Sequence, residues 1–132
     1  MTDQETLVTY RLREAEETLE DAAFLLSANR PARSVINRSY YAMFYAVLAL
    51  FCHFNTPHRT SKHAGIIGIF NKEFVHTGKI EVRIARTLNA LFEDRLTGDY
   101  KGLVELSQEE ANESVDKARE FISVINALIQ TR

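Results

Sequence analysis

The sequence predicts an all-α protein, folded as an antiparallel up-and-down helical bundle of four to five helices. Apolar residues recur at spacings of three and four along successive segments, which is the periodicity of helices that bury one face. Only two prolines and five glycines occur in 132 residues, so few residues interrupt long helices. No segment shows the alternation with a period of two that indicates a half-buried strand. The length is that of one domain, and we expect residues 1–132 to form a single helical-bundle domain.

The first helix is expected to begin at Thr2 and to end near residues 29–30. Thr2 and Glu5 have the spacing of a capping box, in which the threonine hydroxyl accepts a hydrogen bond from an early backbone N–H. Pro31 ends the helix, because a residue that precedes proline disfavours helical angles. The carboxylates between these ends are interpreted as a solvated acidic face: Glu14, Glu16, Glu17, Glu20 and Asp21.

The second helix is expected to start at Pro31, which suits a first helical turn, and to end near Phe54. Apolar side chains cover most of its circumference, so we expect it to be the central and most buried element. Its most apolar stretch, residues 42–54, is shorter than the roughly 20 residues that a membrane span needs. The single Cys52 excludes an internal disulfide and fits a reducing compartment, so we expect a soluble, cytoplasmic protein with no membrane contact.

Three further helices are expected after the break at residues 55–58. The third begins at residue 60 or 61 and reaches about residue 76, with Gly78 just beyond its end as a C-cap. The fourth covers about residues 80–96 and is followed by a turn at residues 98–102. The last begins at a second capping-box signal, Ser107 to Glu110.

The charge balance excludes a generic, strongly basic nucleic-acid binder. Lysine and arginine number 16 and the acidic residues 18, which gives a net charge of -2. Any contact with nucleic acid would therefore come from a local patch. No glycine-rich phosphate loop or nucleophile elbow is present. The four histidines and the single cysteine lack metal-ligand spacing, so we expect neither a metal nor a cofactor.

Arg38 is unusual because it places a charge on the predicted central helix. An unpaired, buried guanidinium costs on the order of several kcal/mol, so Arg38 must be paired or must face a cleft. Tyr41 lies three residues further on, on the same helix face. Two interpretations stay open. One is a structural arginine bonded to a carboxylate from another helix or to carbonyls at a helix end, and the other is an arginine that binds a ligand.

Two more clusters could bind an anion. Lys62 and His63 lie at the predicted start of the third helix, where unsatisfied backbone N–H groups and the helix dipole favour a phosphate. Arg95 ends the predicted fourth helix, and the turn after it presents Asp99 and Tyr100, a composition typical of sites on loops. The alternatives are a solvated basic loop at the first cluster, and an arginine that caps its own helix and pairs with Asp99 at the second.

These clusters also carry a resemblance to small stand-alone HEPN-domain proteins of prokaryotes, a group often encoded beside a minimal nucleotidyltransferase. Residues 37–46, NRSYYAMFYA, resemble the signature of that group. Further matching segments follow in the same order along nearly the whole chain: residues 62–65, residues 70–78, Leu91 with Phe92, Arg95, and Asp99 with Tyr100.

The resemblance implies a homodimeric antiparallel bundle whose polar motif residues line a cleft at or near the dimer contact. Some members are ribonucleases, commonly toxins, that use an arginine followed four to six residues later by a histidine. Other members bind nucleotide, or are partners or targets of the adjacent nucleotidyltransferase, which in some toxin pairs adenylylates a nearby tyrosine.

The ribonuclease pattern is incomplete in this chain. Tyr100 stands where a histidine would fall after Arg95, and a tyrosine with a pKa near 10 is poorly matched to moving the proton of a 2′-hydroxyl. His63 can replace that histidine only if the fold brings it to Arg95. Gly102 stands where the modified tyrosine of the toxin pairs falls, which makes Tyr100 the nearby candidate for modification.

Three hypotheses result. The first is a homodimeric partner of a minimal nucleotidyltransferase, in a toxin–antitoxin-like or nucleotide-metabolism system, that binds nucleotide or RNA without cleaving it. The second is a metal-independent ribonuclease toxin that uses Arg95 with His63 or Tyr100, and the third is a purely structural bundle. The missing histidine favours the first. Its binding site comprises seven residues: Arg38, Tyr41, Lys62, His63, Arg95, Asp99 and Tyr100. The second and third helices are expected to expose aromatic surface that a two-fold interface would bury.

Overall fold

The computed structural model describes the backbone of residues 2–100 and 106–131, and the side chains of residues 2–96 and 106–131. Within these ranges the chain forms five α-helices and one π-helical segment, and no strand. The elements are, in chain order, α1 (Asp3–Ser27), α2 (Ala32–His53), α3 (His63–Phe70), the π-helical segment (Asn71–Val75), α4 (Val82–Tyr100) and α5 (Gln108–Gln130). The prediction of an all-α helical bundle is confirmed.

Contacts between helix ends show how neighbouring helices are oriented. Gln4, at the start of α1, donates a hydrogen bond through Nε2 to the carbonyl oxygen of His53, at the end of α2, over 3.0 Å. Arg83 forms an ion pair of 3.2 Å with Glu120, which places the start of α4 beside the second half of α5. α1 is therefore antiparallel to α2, and α4 runs antiparallel to α5.

Local sequence signals determine several helix ends as predicted. The hydroxyl of Thr2 accepts the backbone N–H of Glu5 at 3.1 Å. At Ser107 the capping box is reciprocal, since the serine hydroxyl accepts the N–H of Glu110 at 3.0 Å and the glutamate accepts the serine N–H at 3.1 Å. Gly78 has a φ of 81°, a conformation that side chains strain, and its N–H bonds back to the end of the π-helical segment.

The third predicted helix begins later than expected and is not α-helical throughout. The hydroxyl of Thr60 accepts the backbone N–H of Lys62 at 3.1 Å, and Lys62 itself remains extended, so α3 begins only at His63. After α3 the chain continues as the π-helical segment, in which the N–H of His76 bonds to the carbonyl of Asn71, five residues earlier. The composition of this segment gave no sign of the wider turn.

The fourth predicted helix begins later and ends later than expected. α4 starts at Val82, and its backbone remains helical to Tyr100, so the prediction of a turn is wrong for residues 98–100. Gly98 lies inside this helix, where a glycine costs about 1 kcal/mol relative to alanine. Because no proline follows it, the backbone hydrogen bonds of the helix can continue and offset that cost. The remainder of the expected turn, residues 101–102, lies outside the described residues.

α2 is the central helix, as predicted, and packs against α1, α4 and α5. Its large side chains Tyr40, Met43, Leu50 and Phe51 are almost fully buried. By length and composition alone α2 could cross a membrane, with a mean hydropathy of 1.3 over its most apolar 18 residues. However, 67% of that stretch is buried inside the bundle, as expected for a core helix.

The exposed apolar surface lies elsewhere than the sequence suggested. Among the described residues, the large apolar side chains that are exposed belong to α1 and α4: Leu7, Tyr10, Phe24 and Val82. The expectation that the second and third helices expose their aromatic rings is wrong, because α1, α4 and α5 pack around α2 and Phe121 of α5 covers Phe70 of α3. Tyr41 and Tyr45, on α2, are half-buried.

Candidate functional site

Three helices meet at a group of four side chains that we call the Arg95 cluster: Tyr40, Tyr41, His63 and Arg95. The two tyrosines come from the middle of α2, His63 is the first residue of α3, and Arg95 lies near the end of α4. The guanidinium carbon of Arg95 is 5.2 Å from the ring centroid of Tyr40 and 5.7 Å from that of Tyr41. Arg95 also donates through Nη1 to the hydroxyl of Tyr41, at 3.4 Å.

His63 is held by rings on several sides. Its Nδ1 shares a hydrogen bond of 2.8 Å with the hydroxyl of Tyr40. Its ring stacks on Phe44, with centroids 4.0 Å apart and an angle of 10° between the planes, and meets the ring of Tyr41 edge to face. Whichever partner donates the shared proton, Nδ1 is occupied by Tyr40, so Nε2 is the ring nitrogen that remains for a ligand.

The environment of the cluster controls its protonation. Burial lowers the pKa of His63, and the positive charge of Arg95 lowers that pKa further, so the imidazole is neutral at pH 7. Burial raises the pKa of Tyr40 far above its ordinary value of 10, and Arg95 only partly opposes that rise. Arg95 is therefore the positive group beside His63 and Tyr40, which are both uncharged near neutral pH.

Arg38 lies next to the cluster, with its guanidinium carbon 5.0 Å from the ring centroid of Tyr41. Its Nε and Nη2 both donate to Oδ1 of Asn37, at 3.2 and 2.9 Å. Neither a carboxylate from another helix nor a helix-end carbonyl, the partners that a structural role requires, contacts Arg38 among the described residues. Arg38 is half-buried at the edge of the site, which favours the interpretation as a ligand-binding arginine.

The structure brings together four of the seven predicted site residues, Arg38, Tyr41, His63 and Arg95. Lys62 is exposed and immediately precedes His63. The backbone of Asp99 and Tyr100 lies in the last turn of α4, and their side chains fall outside the described residues. The predicted roles of these last two residues stay predictions.

Sequence reasoning missed three side chains that shape the site. Tyr40 binds His63, Phe44 stacks on it, and the ring of Phe92 lies 5.5 Å from the guanidinium carbon of Arg95. A signal for Tyr40 existed, because a tyrosine on the most buried helix needs a partner for its hydroxyl. The other two lie one helical turn from a site residue, at positions that also suit an ordinary core.

Two cavities flank the cluster. The larger, of about 640 Å³, lies between the start of α1, the second half of α2 and the segment before α3, and Phe44 forms part of its wall. The smaller, of about 310 Å³, is lined by five residues: Leu25, Arg33, Ser34, Asn37 and Arg38. In the part of the chain that the structure describes, no three histidine, cysteine or acidic side chains are grouped as metal ligands.

Comparison with known proteins agrees with these features. The sequence model of the HEPN domain matches residues 8–128. A "UPF0332 protein" of Thermotoga maritima is 41% identical over 130 residues, which cover 98% of this chain and 96% of that protein. Two proteins of Methanocaldococcus jannaschii are similar over most of their length. "Putative toxin MJ0142" is 31% identical over a region that covers 84% of this chain and 78% of that protein. "Putative toxin MJ0605" is 33% identical over a region that covers 88% of this chain and 84% of that protein.

The family match extends from within α1 to within α5 and includes the four residues of the Arg95 cluster. The identity to the Thermotoga maritima protein extends over almost the full length of both chains. The helical bundle agrees with both findings. This chain belongs to the HEPN domain family.

Proposed function

We propose that this chain is a homodimeric HEPN protein that binds the phosphate of a nucleotide or of RNA at the Arg95 cluster. It acts with a minimal nucleotidyltransferase in the cytoplasm, in a toxin–antitoxin-like or nucleotide-metabolism system. The observation that carries this proposal is the position of Arg95, whose guanidinium packs on the rings of Tyr40 and Tyr41 beside His63.

A phosphate suits the cluster because the groups around it donate hydrogen bonds. A guanidinium presents five N–H donors in a planar fork that matches two phosphate oxygens. The rings already hold Arg95 by cation–π contacts, so less side-chain freedom is lost when a ligand binds. The hydroxyl of Tyr41 and Nε2 of His63 can add two further donors. Such a local patch is what an otherwise acidic chain needs in order to bind phosphate.

The biological setting of the proposal has separate support. The names of two relatives contain the word toxin, which favours a toxin–antitoxin-like role. The nucleotidyltransferase partner and the homodimer rest on the resemblance of residues 37–46 and the motifs that follow. The exposed side chains of Leu7 and Tyr10 give α1 an apolar surface on which a second copy can pack.

Binding of a fluorescent single-stranded RNA, measured by anisotropy, tests the proposal. Arg95→Ala should weaken binding at least tenfold, and Arg95→Lys should restore only part of the loss, because lysine keeps the charge without the fork. Arg86→Ala, which removes an exposed arginine elsewhere on α4, is the matched control and should bind as the wild type does. Equal affinities for Arg95→Ala and the control, with unchanged helical circular dichroism, would contradict the proposal.

A second candidate function, metal-independent RNA cleavage, is favoured by one observation, the approach of His63 to Arg95. In this reaction Nε2 of the neutral His63 takes the proton of a 2′-hydroxyl while that oxygen attacks the neighbouring phosphorus. The bond from phosphorus to the 5′-oxygen then breaks, and the leaving oxygen takes a proton from the imidazolium or from water. Arg95 would stabilise the charge that develops on the phosphoryl oxygens.

Cleavage is tested by incubating total cellular RNA with the protein, in EDTA and in magnesium, and separating the products on a denaturing gel. If His63 is the base, His63→Gln should reduce the cleavage rate roughly 100-fold or more, as expected for loss of a general base. RNA left intact by the wild type in both buffers would reject the ribonuclease and leave the binding proposal standing.

A further inference from the structure

We infer that the 310 Å³ cavity beside Arg38 binds a second phosphate of the same RNA strand, adjacent to the phosphate held at the Arg95 cluster. The inference rests on the proposed function and extends it, because it assigns the ligand as an RNA strand rather than a mononucleotide. It also gives a role to Arg33 and Ser34, which the sequence did not single out.

The lining of this cavity matches the chemistry of a phosphate. Two guanidinium groups, those of Arg33 and Arg38, share it with the hydroxyl of Ser34 and the amide of Asn37, and no carboxylate lines it. Leu25, from α1, provides an apolar wall. Within the described part of the chain, neither arginine forms an ion pair with an acidic side chain. Their positive charge is therefore available to an anion.

One of these arginines is already oriented. Asn37 accepts two hydrogen bonds from Arg38, through Nε and Nη2, and this fixes the plane of the guanidinium. A guanidinium has five N–H donors, so donors remain for a phosphate after these two bonds. Arg33 is exposed in the first turn of α2 and lines the same cavity, so it can contact the same phosphate.

The ring of Tyr41 lies close both to an arginine of this cavity and to the arginine of the Arg95 cluster. The guanidinium carbons of Arg38 and Arg95 lie 5.0 and 5.7 Å from the centroid of Tyr41. Two consecutive phosphates of a strand are likewise separated by one nucleoside. A strand that places one phosphate at Arg95 can therefore place the next at Arg38, with the nucleoside spanning Tyr41. A mononucleotide would occupy only the first position.

The test measures the affinity for a single-stranded RNA of about ten nucleotides, which is within the range of single-strand site sizes. The affinity for adenosine 5′-monophosphate is measured by its competition with that RNA. Arg33→Ala should weaken RNA binding about tenfold and leave the affinity for the mononucleotide unchanged. It should also reduce the slope of log affinity against log salt by about 0.7, the value for one phosphate contact on a single strand. Ser34→Asp, which places a negative charge in the cavity, should weaken RNA binding at least as much. Arg86→Ala is the matched control, because it also removes one exposed positive charge but lies outside the cavity.

The outcomes separate the two claims. If Arg95→Ala weakens RNA binding but Arg33→Ala and Ser34→Asp bind like Arg86→Ala, the second phosphate site is refuted and the proposed function stands. If Arg33→Ala weakens binding of the mononucleotide as much as binding of RNA, the cavity holds the first phosphate, and the assignment of a second phosphate to it is wrong. If the wild type binds the mononucleotide but no RNA, this inference fails and the proposed function stands. If it binds neither, both fail.

Discussion

Removal of one hydroxyl, in Tyr40→Phe, tests whether the contact between α2 and α3 is built as the structure indicates. The ring of Tyr40 is fully buried, and its hydroxyl is 2.8 Å from Nδ1 of His63. Phenylalanine retains the ring that packs against Phe44, Phe92 and Arg95. The substitution therefore deletes a hydrogen bond between two neutral groups and leaves the surrounding packing in place.

The expected loss follows from the nature of that bond. A neutral intramolecular hydrogen bond contributes about 1 kcal/mol to the free energy of unfolding, with a range of roughly 0.5 to 1.5 kcal/mol. Here His63 is half-buried, so water can replace part of the lost bond, and the value should lie near the middle of that range. With an unfolding entropy of about 2.1 cal/mol/K per residue, 1 kcal/mol corresponds to a decrease in Tm of about 4 °C for this chain.

Thermal and urea denaturation, followed by circular dichroism at pH 7.5, measure the effect. Tyr45→Phe is the matched control, because Tyr45 is half-buried on the same helix and its hydroxyl forms no hydrogen bond among the described residues. The control should change the free energy of unfolding by less than about 0.5 kcal/mol. Equal stability of wild type and Tyr40→Phe, or equal losses in the two variants, would refute the bond between Tyr40 and His63 and the orientation of the imidazole derived from it.

Three further predictions concern charge and assembly. Arg95→Met should raise the pKa of His63, measured by NMR titration, yet leave it below 6.5, because burial is the larger cause of the low pKa and remains. An unchanged pKa would show that Arg95 lies too far from His63 to influence its protonation. Burial and the carboxylate of Glu110 raise the pKa of Asp94, so the folded state binds that proton more tightly and stability falls as pH rises above the ordinary aspartate value. Asp94→Asn should therefore stabilise the protein at pH 7 and lose that advantage at pH 3, and an equal gain at both values would contradict this origin. The wild type should elute as a dimer of 15.1 kDa chains in light scattering, and Tyr10→Glu should weaken that dimer at least tenfold; a monomer in the wild type would remove the homodimer from the proposed function.

The pH dependence of the wild type has a definite sign at His63. The unfolded histidine titrates near its ordinary value, whereas the folded one has a lowered pKa, so the unfolded state binds more protons as pH falls below about 6.5. Stability should therefore be fully present above that pH and decrease as the solution is acidified through the ordinary histidine range. The same titration would place a positive charge in a partly buried site and beside Arg95, and these are, in order of size, the two reasons that the pKa of His63 is low.

Helix ends that depend on nearby residues were predictable from the sequence. The caps at Thr2 and Ser107 and the break at Pro31 use contacts within a few residues, and α1, α2 and α5 begin or end within a residue or two of the expected positions. The wider turn of the π-helical segment and the late end of α4 have no capping contact or proline that marks them in the sequence. No local pattern in residues 71–75 or 98–100 carries that information.

The candidate site was predictable only in its parts. Arg38, Tyr41, His63 and Arg95 each stood out by residue type and by position near a helix end or on the central helix. Their meeting depends on how α3 and α4 cross α2, which is a property of the whole core. For the same reason the sequence did not single out Tyr40, which belongs both to the core and to the site: its ring is fully buried, and its hydroxyl orients His63.

Binding and cleavage make different demands on His63, and this difference separates the two functions that Arg95 can serve. For binding, His63 contributes a ring and one donor, and Arg95 with Arg38 supplies the charge, so glutamine at position 63 should keep most of the affinity. For cleavage, the imidazole must exchange a proton within the reaction, and glutamine cannot. A neutral His63 is in the form that a general base needs when its Nδ1 donates to the hydroxyl of Tyr40, because Nε2 then carries no proton; when Tyr40 donates instead, Nε2 carries the proton and is a donor to phosphate. Arg95 beside it therefore has two effects: it adds to burial in lowering the pKa of that base, and it provides the positive charge that attracts the phosphate.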